Sequence, residues 1–288
     1  MASEPAGGTA VDIIIVTHNS QAELSACLQS LTASTGLGRM TITVVDNCSS
    51  DGTPQVVARD WPAVALIQPG SNLGFASGNN LGIRASTSEL VLLLNPDTVV
   101  AADAISQLVR ELADHTEAAA AGPRLIDERG VAELSFGWTI SLFGELQQKV
   151  IGALYRLGAP LVRARVNRWL RTPGEREWIS GACMLTRRAD LEAVGLFDER
   201  YFMYTEDVDL CVSLRRLGRT IRFVPEAHVV HHRGRSAKRN PHTESMRRRS
   251  QLAYYRKHHP RWAPLLTLYL RLTGKHPSAE APDSVLGV

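Results

Sequence analysis

Residues 90–94, all Leu or Val, run straight into Asn95-Pro96-Asp97-Thr98. Five apolar residues stopped by a proline read as a buried strand with an abrupt end. In open α/β sheets, ligand chemistry gathers just beyond the carboxyl ends of the strands. Asp97 therefore stands where a cation or a phosphate would be held. Its oxygens suit the hard cations Mg2+ and Mn2+, which are commonly shared with substrate phosphates. An acid at a strand end can also be a plain turn residue, so its company decides. Two other strand-like runs end in polar groups: residues 11–16 at Thr17-His18-Asn19, and residues 41–45 at Asp46-Asn47. Such a row can hold a base at one strand end and phosphates, through a metal, at another. The loop Asn72-Leu73-Gly74-Phe75-Ala76-Ser77-Gly78-Asn79-Asn80 adds glycines for close backbone approach and a helix start that favours anions. The competing reading is that Asp46 and Asn72 cap turns. No G-x-G-x-x-G follows the first strand, and there is no P-loop.

A second constellation is Tyr204-Thr205-Glu206-Asp207-Val208-Asp209-Leu210. If Leu210, Leu214 and Leu217 form a buried helical stripe, Asp207 shares their inward face and Asp209 points elsewhere. An inward acid is costly unless it is paired or does work. Asp207 could be a general base that takes a proton from an attacking hydroxyl. The alternative, a carboxylate placed for the helix dipole, suits Glu206 better. A third constellation is His228, His231 and His232, followed by Arg233, Arg235, Lys238 and Arg239. One histidine could complete a metal shell begun by Asp97, and the cations could neutralise a pyrophosphate. A solvated basic loop is the alternative. No Cys/His spacing supports a structural zinc.

These residues need a scaffold. Strands are expected at residues 11–16, 41–45, 64–67, 90–94 and 118–122, with a helix from about residue 20, a short helix opened by the polar turn 49–53, and helices near 76–85 and 102–113 between them. Ser20, with Glu23 three residues on, predicts a capping box at the first helix. Strands alternating with helices predict a mostly parallel sheet with right-handed crossovers. Residues 136–174 break the pattern and read as an amphipathic insert. Beyond it we expect a strand over 178–186, helices near 188–194 and 206–217, a strand over 221–224 and a helix over 242–258. The predicted organisation is a disordered start at 1–10, a catalytic domain at 11–258 and a C-terminal helix and tail at 259–288. Within the domain, 11–127 forms the first half, 136–174 the insert and 175–258 the second half.

At 288 residues the chain can bury a full core. Its four cysteines, Cys27, Cys48, Cys183 and Cys211, are scattered, which argues against a disulfide framework and for a reducing, cytoplasmic setting. Residues 1–10 lack the features of a signal peptide. The net charge of +3 hides an asymmetry: residues 1–135 hold 6 Lys/Arg and 15 Asp/Glu (−9), and residues 136–288 hold 26 and 14 (+12). A basic second half points to an anionic partner.

In this order, the landmarks resemble a family-2 glycosyltransferase of the GT-A fold. The pieces that carry the resemblance are residues 11–19, Val44-Val45-Asp46-Asn47-Cys48-Ser49-Ser50-Asp51-Gly52-Thr53, Asn72-Leu73-Gly74-Phe75-Ala76, Asn95-Pro96-Asp97-Thr98, and the stretch 197–210 from Phe197 to Leu210. The last two look most like bacterial rhamnosyltransferases. The resemblance implies an α/β fold with a nucleotide-binding sheet and a helical, basic C-terminal extension. It implies a nucleotide-sugar donor, dTDP- or UDP-linked, and Mg2+ or Mn2+ as cofactor. Asp46 would contact the base with Thr17, His18, Asn19 and Asn47 nearby, and Asn72, Gly74, Phe75, Asn79 and Arg235 would line the rest of the donor site. Asp97 would bind the metal with His231, for which His232 competes. Asn95 stands where relatives carry the first acid of Asp-x-Asp. Asp207 matches the catalytic base beside Glu206, and Trp178 and Gly181, again with Glu206, lie where acceptor is held. The absence of Gln-x-x-Arg-Trp favours addition of one or a few residues over polymerisation. The expected activity is inverting transfer, best matched to L-rhamnose, onto a glycan or lipid-linked glycan.

Residues 138–171 and 261–273 mix Trp and Leu with Arg. Such segments suit an interfacial helix on an anionic membrane, or else a domain insert or homodimer interface. The lipid-linked acceptors common in the family favour peripheral association with the inner face of the plasma membrane. The aromatics form no stacking platform, so no nucleic acid is expected. A nucleotidyltransferase would share the sheet but carry a Gly/Arg/Lys-rich loop where Thr17-His18-Asn19-Ser20 stands. A non-catalytic nucleotide-sugar-binding protein would not need Asp207.

Overall fold

The computed structural model describes residues 8–137, 140, 142–232 and 241–277. The chain opens with β1 (Val11–Thr17), α1 (Gln21–Thr32), β2 (Met40–Asp46), α2 (Thr53–Asp60), β3 (Ala65–Ile67), α3 (Gly74–Ala85) and β4 (Leu90–Leu94). It continues through β5 (Thr98–Val100), α4 (Ala104–Asp114), β6 (Ala118–Ile126), β7 (Phe136–Gly137), α5 (Leu142–Arg156) and α6 (Pro160–Trp169). Then come β8 (Gly174–Glu175), β9 (Trp178–Ile179), β10 (Cys183–Arg187), α7 (Arg188–Ala193), α8 (Glu206–Arg216), β11 (Thr220–His231), α9 (Pro241–His258) and α10 (Ala263–Leu272).

β1 and β4 are buried at every residue, as strands covered on both faces must be. Their alternation feeds two cores. Val11, Ile13 and Ile15 face α1, α2 and α4, and Ile14 faces α3, α6 and α8. A third cluster joins Tyr201 and Val208 to α9 and α10. The main sheet has the order β3-β2-β1-β4-β10-β6-β11-β5, with β8 also on β11. β10 is antiparallel to both β4 and β6, and β5 and β8 are antiparallel to β11. The remaining strands run one way, so the sheet is mostly parallel. Its carboxyl edge gathers the ends of β1, β2 and β4.

Several expectations need correction. Ser20 does not form a capping box; its hydroxyl donates to the His18 carbonyl, and Asp51 from the next loop accepts the Gln21 N–H at 3.1 Å. The predicted strand over 178–186 is two strands, broken at Ser180–Ala182. The run over 221–224 continues through Pro225 to His231, with a register shift between Val224 and His228 that accommodates the proline. Leu217 is not in the buried stripe but 48% exposed, whereas Asp209, on another side of the helix, is buried against α9. Of the start at 1–10, for which disorder is expected, only residues 8–10 are described; the tail beyond 277, Trp138 and Arg235 with its basic loop 233–240 lie outside the described residues.

Candidate active site

Thr17 and Asp46 are register partners at the ends of parallel β1 and β2. Both are buried, and Thr17 Oγ1 and Asp46 Oδ1 have no hydrogen-bond partner among the described residues. The other Asp46 oxygen accepts the Ser49 N–H at 3.0 Å. Buried polar atoms are rarely left unpaired, so two orphans side by side mark a place for a polar ligand. His18 Nδ1 lies 2.8 Å from the Asn47 carbonyl oxygen, and Asn19 Oδ1 accepts the Ser50 N–H at 2.7 Å.

The glycine-containing loop is tied to this edge from within. The Asn47 amide donates to the Gly74 carbonyl at 2.9 Å, and Asn72 Oδ1 accepts the Gly74 N–H at 3.0 Å. Asn79 donates back to the Phe75 carbonyl at 2.9 Å. These three amides brace the loop. Gly74 has φ 80°, and a Cβ there would collide with the Phe202 carbonyl, so only glycine fits. Phe75 N–H donates to that same carbonyl at 2.7 Å.

Asp97 and His231 meet where β5 pairs with the end of β11, with Thr98 opposite His231. His231 Nε2 stands 3.4 Å from Asp97 Oδ1, and Nδ1 stands 3.2 Å from Glu133 Oε2. Burial works against a charge on this imidazole, but its hydrogen bonds to Asp97 and Glu133 overcome it and hold the pKa up at about 9. His232 turns away: its Nδ1 lies 2.7 Å from Glu128, although its backbone N–H donates to the Asp97 carbonyl. His228 is exposed on β11. Two ligands cis on an octahedral cation, each about 2.1 Å away, stand about 3 Å apart. Asp97 and His231 therefore fit a shared divalent cation, with Glu133 orienting the imidazole from behind. Among the described residues no three His, Cys, Asp or Glu side chains form a ready-made cage.

Asp207 is half-buried in the first turn of α8. Its Oδ2 accepts the Gly181 N–H at 3.1 Å and its Oδ1 the Val208 N–H at 2.8 Å. Burial pushes its carboxyl above the ordinary 3.8 in spite of those donors. Glu206 is buried with Oε2 unpartnered among the described residues, and burial, then the Asp207 charge, push it well above 4.5. It is no solvated helix-dipole carboxylate. Gly181 lies in the break between β9 and β10, three residues after half-buried Trp178. A Cβ there would stand 3.3 Å from Asp207 Cβ and 3.4 Å from the Phe75 ring. Asn95 N–H donates to the adjoining Ala182 carbonyl at 2.9 Å, which joins the Asp97 turn to the Asp207 turn.

Five described non-glycine residues have positive φ, and four of them, Asn19, Cys48, Tyr204 and Thr205, flank these groups. Such strain collects at functional sites. A cavity of about 350 Å3 beneath α5 and α6, lined by Ile151, Trp169, Arg176 and Arg215 among others, holds none of the predicted site residues. Glu133 and the strained turn at Tyr204-Thr205 were not foreseen. Glu133 sits in an irregular stretch after β6, distant in sequence from His231 and part of no motif.

The sequence matches the family described as Glycosyl transferase family 2 over residues 12–195. It is 34% identical, over 80% of its length and 78% of the relative's, to the N-acetylglucosaminyl-diphospho-decaprenol L-rhamnosyltransferase of Mycobacterium tuberculosis. It is 25% identical to rhamnosyltransferase WbbL of Escherichia coli, over 77% of this chain and 83% of that one. Among solved structures it resembles the mannosyltransferase PcManGT from Pyrobaculum calidifontis, determined with GDP-Man and Mn2+, at TM-score 0.63 and 20% identity, over 94% of this chain and 72% of that chain. It also resembles residues 1–349 of Staphylococcus aureus TarS, at TM-score 0.56 and 14% identity, over 93% and 80% of the two chains. The fold is shared with these structures.

Proposed function

The chain belongs to glycosyl transferase family 2, and we propose that it transfers L-rhamnose from dTDP-rhamnose to a hydroxyl of a lipid-linked, N-acetylglucosamine-bearing acceptor, in cell-wall or polysaccharide synthesis. The identity to the mycobacterial L-rhamnosyltransferase supports the sugar and the acceptor. The observation that carries the chemistry is the bend at Gly181, which links a carboxylate of raised pKa to the turn bearing Asp97.

In this reading residues 11–127 hold the donor and residues 175–258 hold acceptor and base. Asp46 and Thr17 present their unpaired oxygens to the nucleoside, with His18, Asn19 and Asn47 around them, and Asn95 faces the sugar side. Asp97 and His231 would hold a divalent cation, Mg2+ or Mn2+. When bound, such a cation would neutralise charge developing on the donor's diphosphate. Arg235 supplies further positive charge to that group. Trp178, Gly181 and Glu206 shape the acceptor site. Asp207 takes the proton from the acceptor hydroxyl as its oxygen attacks the anomeric carbon. The bond from that carbon to the diphosphate oxygen breaks, its electron pair leaves with the phosphate, and the single displacement inverts the configuration. Peripheral contact with a membrane bearing the acceptor completes the proposal.

A panel of nucleotide-sugars tests it. Metal-dependent release of nucleoside diphosphate, highest with dTDP-rhamnose, is expected. Preference for another donor would overturn the sugar assignment, and release of pyrophosphate from nucleoside triphosphates would overturn the reaction class.

A further inference from the structure

Helix α10 carries apolar residues both on its inward face and outside it. Ala263, Leu266 and Leu270 turn inward and pack with Tyr201, Val208, Leu252, Tyr254 and Tyr255. Leu265, Leu268, Tyr269 and Leu272 are 51%, 53%, 54% and 79% exposed, and Trp262 at the N-cap is 48% exposed. At about 100° per residue, these five fall within an outward arc of roughly 120°. Scattered exposed leucines are ordinary, but five large apolar groups in one stripe of a short helix mark a contact surface. The inward face already meets what the fold asks of this helix, so the outward face answers to something else.

Charge identifies the occupant. Residues 245–279 contain 8 Lys/Arg and no Asp or Glu. Arg261, Arg271 and Lys275 are exposed beside the stripe. A second copy of the same face would bring like charges together across a two-fold axis. An anionic bilayer matches both features, because leucines enter the acyl boundary, Trp and Tyr sit at headgroup depth and the cations meet lipid phosphates. No helix among the described residues is long and apolar enough to cross a membrane. We propose that α10 is a docking helix that lies in the plane of an anionic bilayer, with Trp262, Leu265, Leu268, Tyr269 and Leu272 immersed and Arg261, Arg271 and Lys275 on the phosphates. Its purpose rests on the lipid-linked acceptor proposed above. The inward face of α10 belongs to the same apolar cluster as Val208, the neighbour of Asp207.

The test sediments the full chain with vesicles of phosphatidylcholine alone and of phosphatidylcholine with phosphatidylglycerol. Two triple variants are compared: Leu265→Ser/Leu268→Ser/Leu272→Ser, and Arg261→Ala/Arg271→Ala/Lys275→Ala. Wild type is expected in the pellet with anionic vesicles and not with neutral ones. Each variant should lower the partition by at least about tenfold, with thermal midpoint and donor hydrolysis unchanged. The charge variant keeps every leucine, so loss of binding there does not come from a damaged core. Wild type that stays in the supernatant with anionic vesicles at low salt overturns the proposal, and so does a leucine variant that pellets like wild type. A solution dimer dissolved by the leucine substitutions, without vesicle binding, overturns it in favour of a second copy. Vesicle binding without rhamnosyl transfer upholds the docking helix and rejects the proposed activity. Transfer to a water-soluble acceptor without vesicle binding rejects the docking helix alone.

Discussion

A carboxylate that must take a proton from an alcohol gains from a pKa above the ordinary value, and burial gives Asp207 that shift. Asp207→Asn keeps an oxygen for the Gly181 N–H but cannot accept the proton. Transfer should fall by about 100- to 10,000-fold with donor affinity unchanged, as read from product formation and donor titration. Near wild-type turnover would remove Asp207 from the base role. Glu206 beside it carries a stability cost. Above pH 4.5 the unfolded chain has lost this proton while the folded chain, with its raised pKa, still holds it. Stability therefore declines as pH rises from that point. Glu206→Gln cannot ionise, so its thermal midpoint should exceed that of wild type at pH 8, and the gap should close toward pH 4. A gap of constant size would show that Glu206 does not ionise differently in the two states. Across the site, a cation entering as proposed would displace the proton that Asp97 and Glu133 favour on His231. Glu133→Gln removes the charge that orients the imidazole. Mn2+ affinity, measured by calorimetry near neutral pH with proton release taken from the buffer dependence of the heat, should weaken by about 10- to 100-fold. An unchanged affinity would mean that Glu133 does not support the ligand.

The element that carries the base is held by the one that follows the sheet. Asp209 on α8 lies 2.6 Å from His258 Nε2 and 2.7 Å from Lys257 Nζ, and it accepts from the Tyr201 hydroxyl at 3.1 Å. Lys257 also reaches Asp198 at 2.8 Å. This network pins α9 against the turn in which Tyr204 and Thr205 have φ of 72° and 75°. Such backbone costs about 1–3 kcal/mol per residue and persists only where its surroundings hold it. Asp209→Ala strands a buried histidine and part of a lysine, and should lower stability by about 3–5 kcal/mol in urea titration. A loss under about 1 kcal/mol would place the restraint elsewhere. The same residue shows where sequence patterns stop. A helical wheel drawn through Leu210, Leu214 and Leu217 assumes one packing partner for α8. The helix has two, the sheet on one side and α9 with α10 on the other, so Asp209 is buried and Leu217 at the helix end is not. β1, β2 and β4 were legible because burial on both faces leaves unbroken apolar runs. β10 was legible as a strand but not as an antiparallel one, since direction comes from connections rather than from composition. Asp97 and Asp207 announced themselves by a strand end and a helix start, whereas Glu133 had no local pattern to reveal it.

At the scale of the whole molecule, the two halves complete each other. The family match ends at residue 195, yet Asp207 and His231 lie beyond it, and β11 pairs with β6 and β5 from the first half. The basic second half thus closes the sheet that the acidic first half begins, and then caps it with α9 and α10. That cap makes one helix answer to two solvents. Leu266 and Leu270 on the inner face of α10 are 6% and 0% exposed. At about 1.5–3 kcal/mol for each buried leucine, removing α10 forfeits about 3–6 kcal/mol. That is a large share of the roughly 5–15 kcal/mol that holds a typical domain together. A chain ended after His259 should therefore melt well below wild type and bind a hydrophobic dye through the uncovered Tyr201, Leu252 and Tyr254. It should also lose donor hydrolysis, because Val208 in the same cluster no longer anchors the Asp207 turn. The outward substitutions Leu265→Ser, Leu268→Ser and Leu272→Ser touch none of this and should leave melting and dye binding as in wild type. If truncation and outward substitution lowered the melting midpoint equally, both sides of α10 would be part of the folded core, and an inner face alone would not account for its packing.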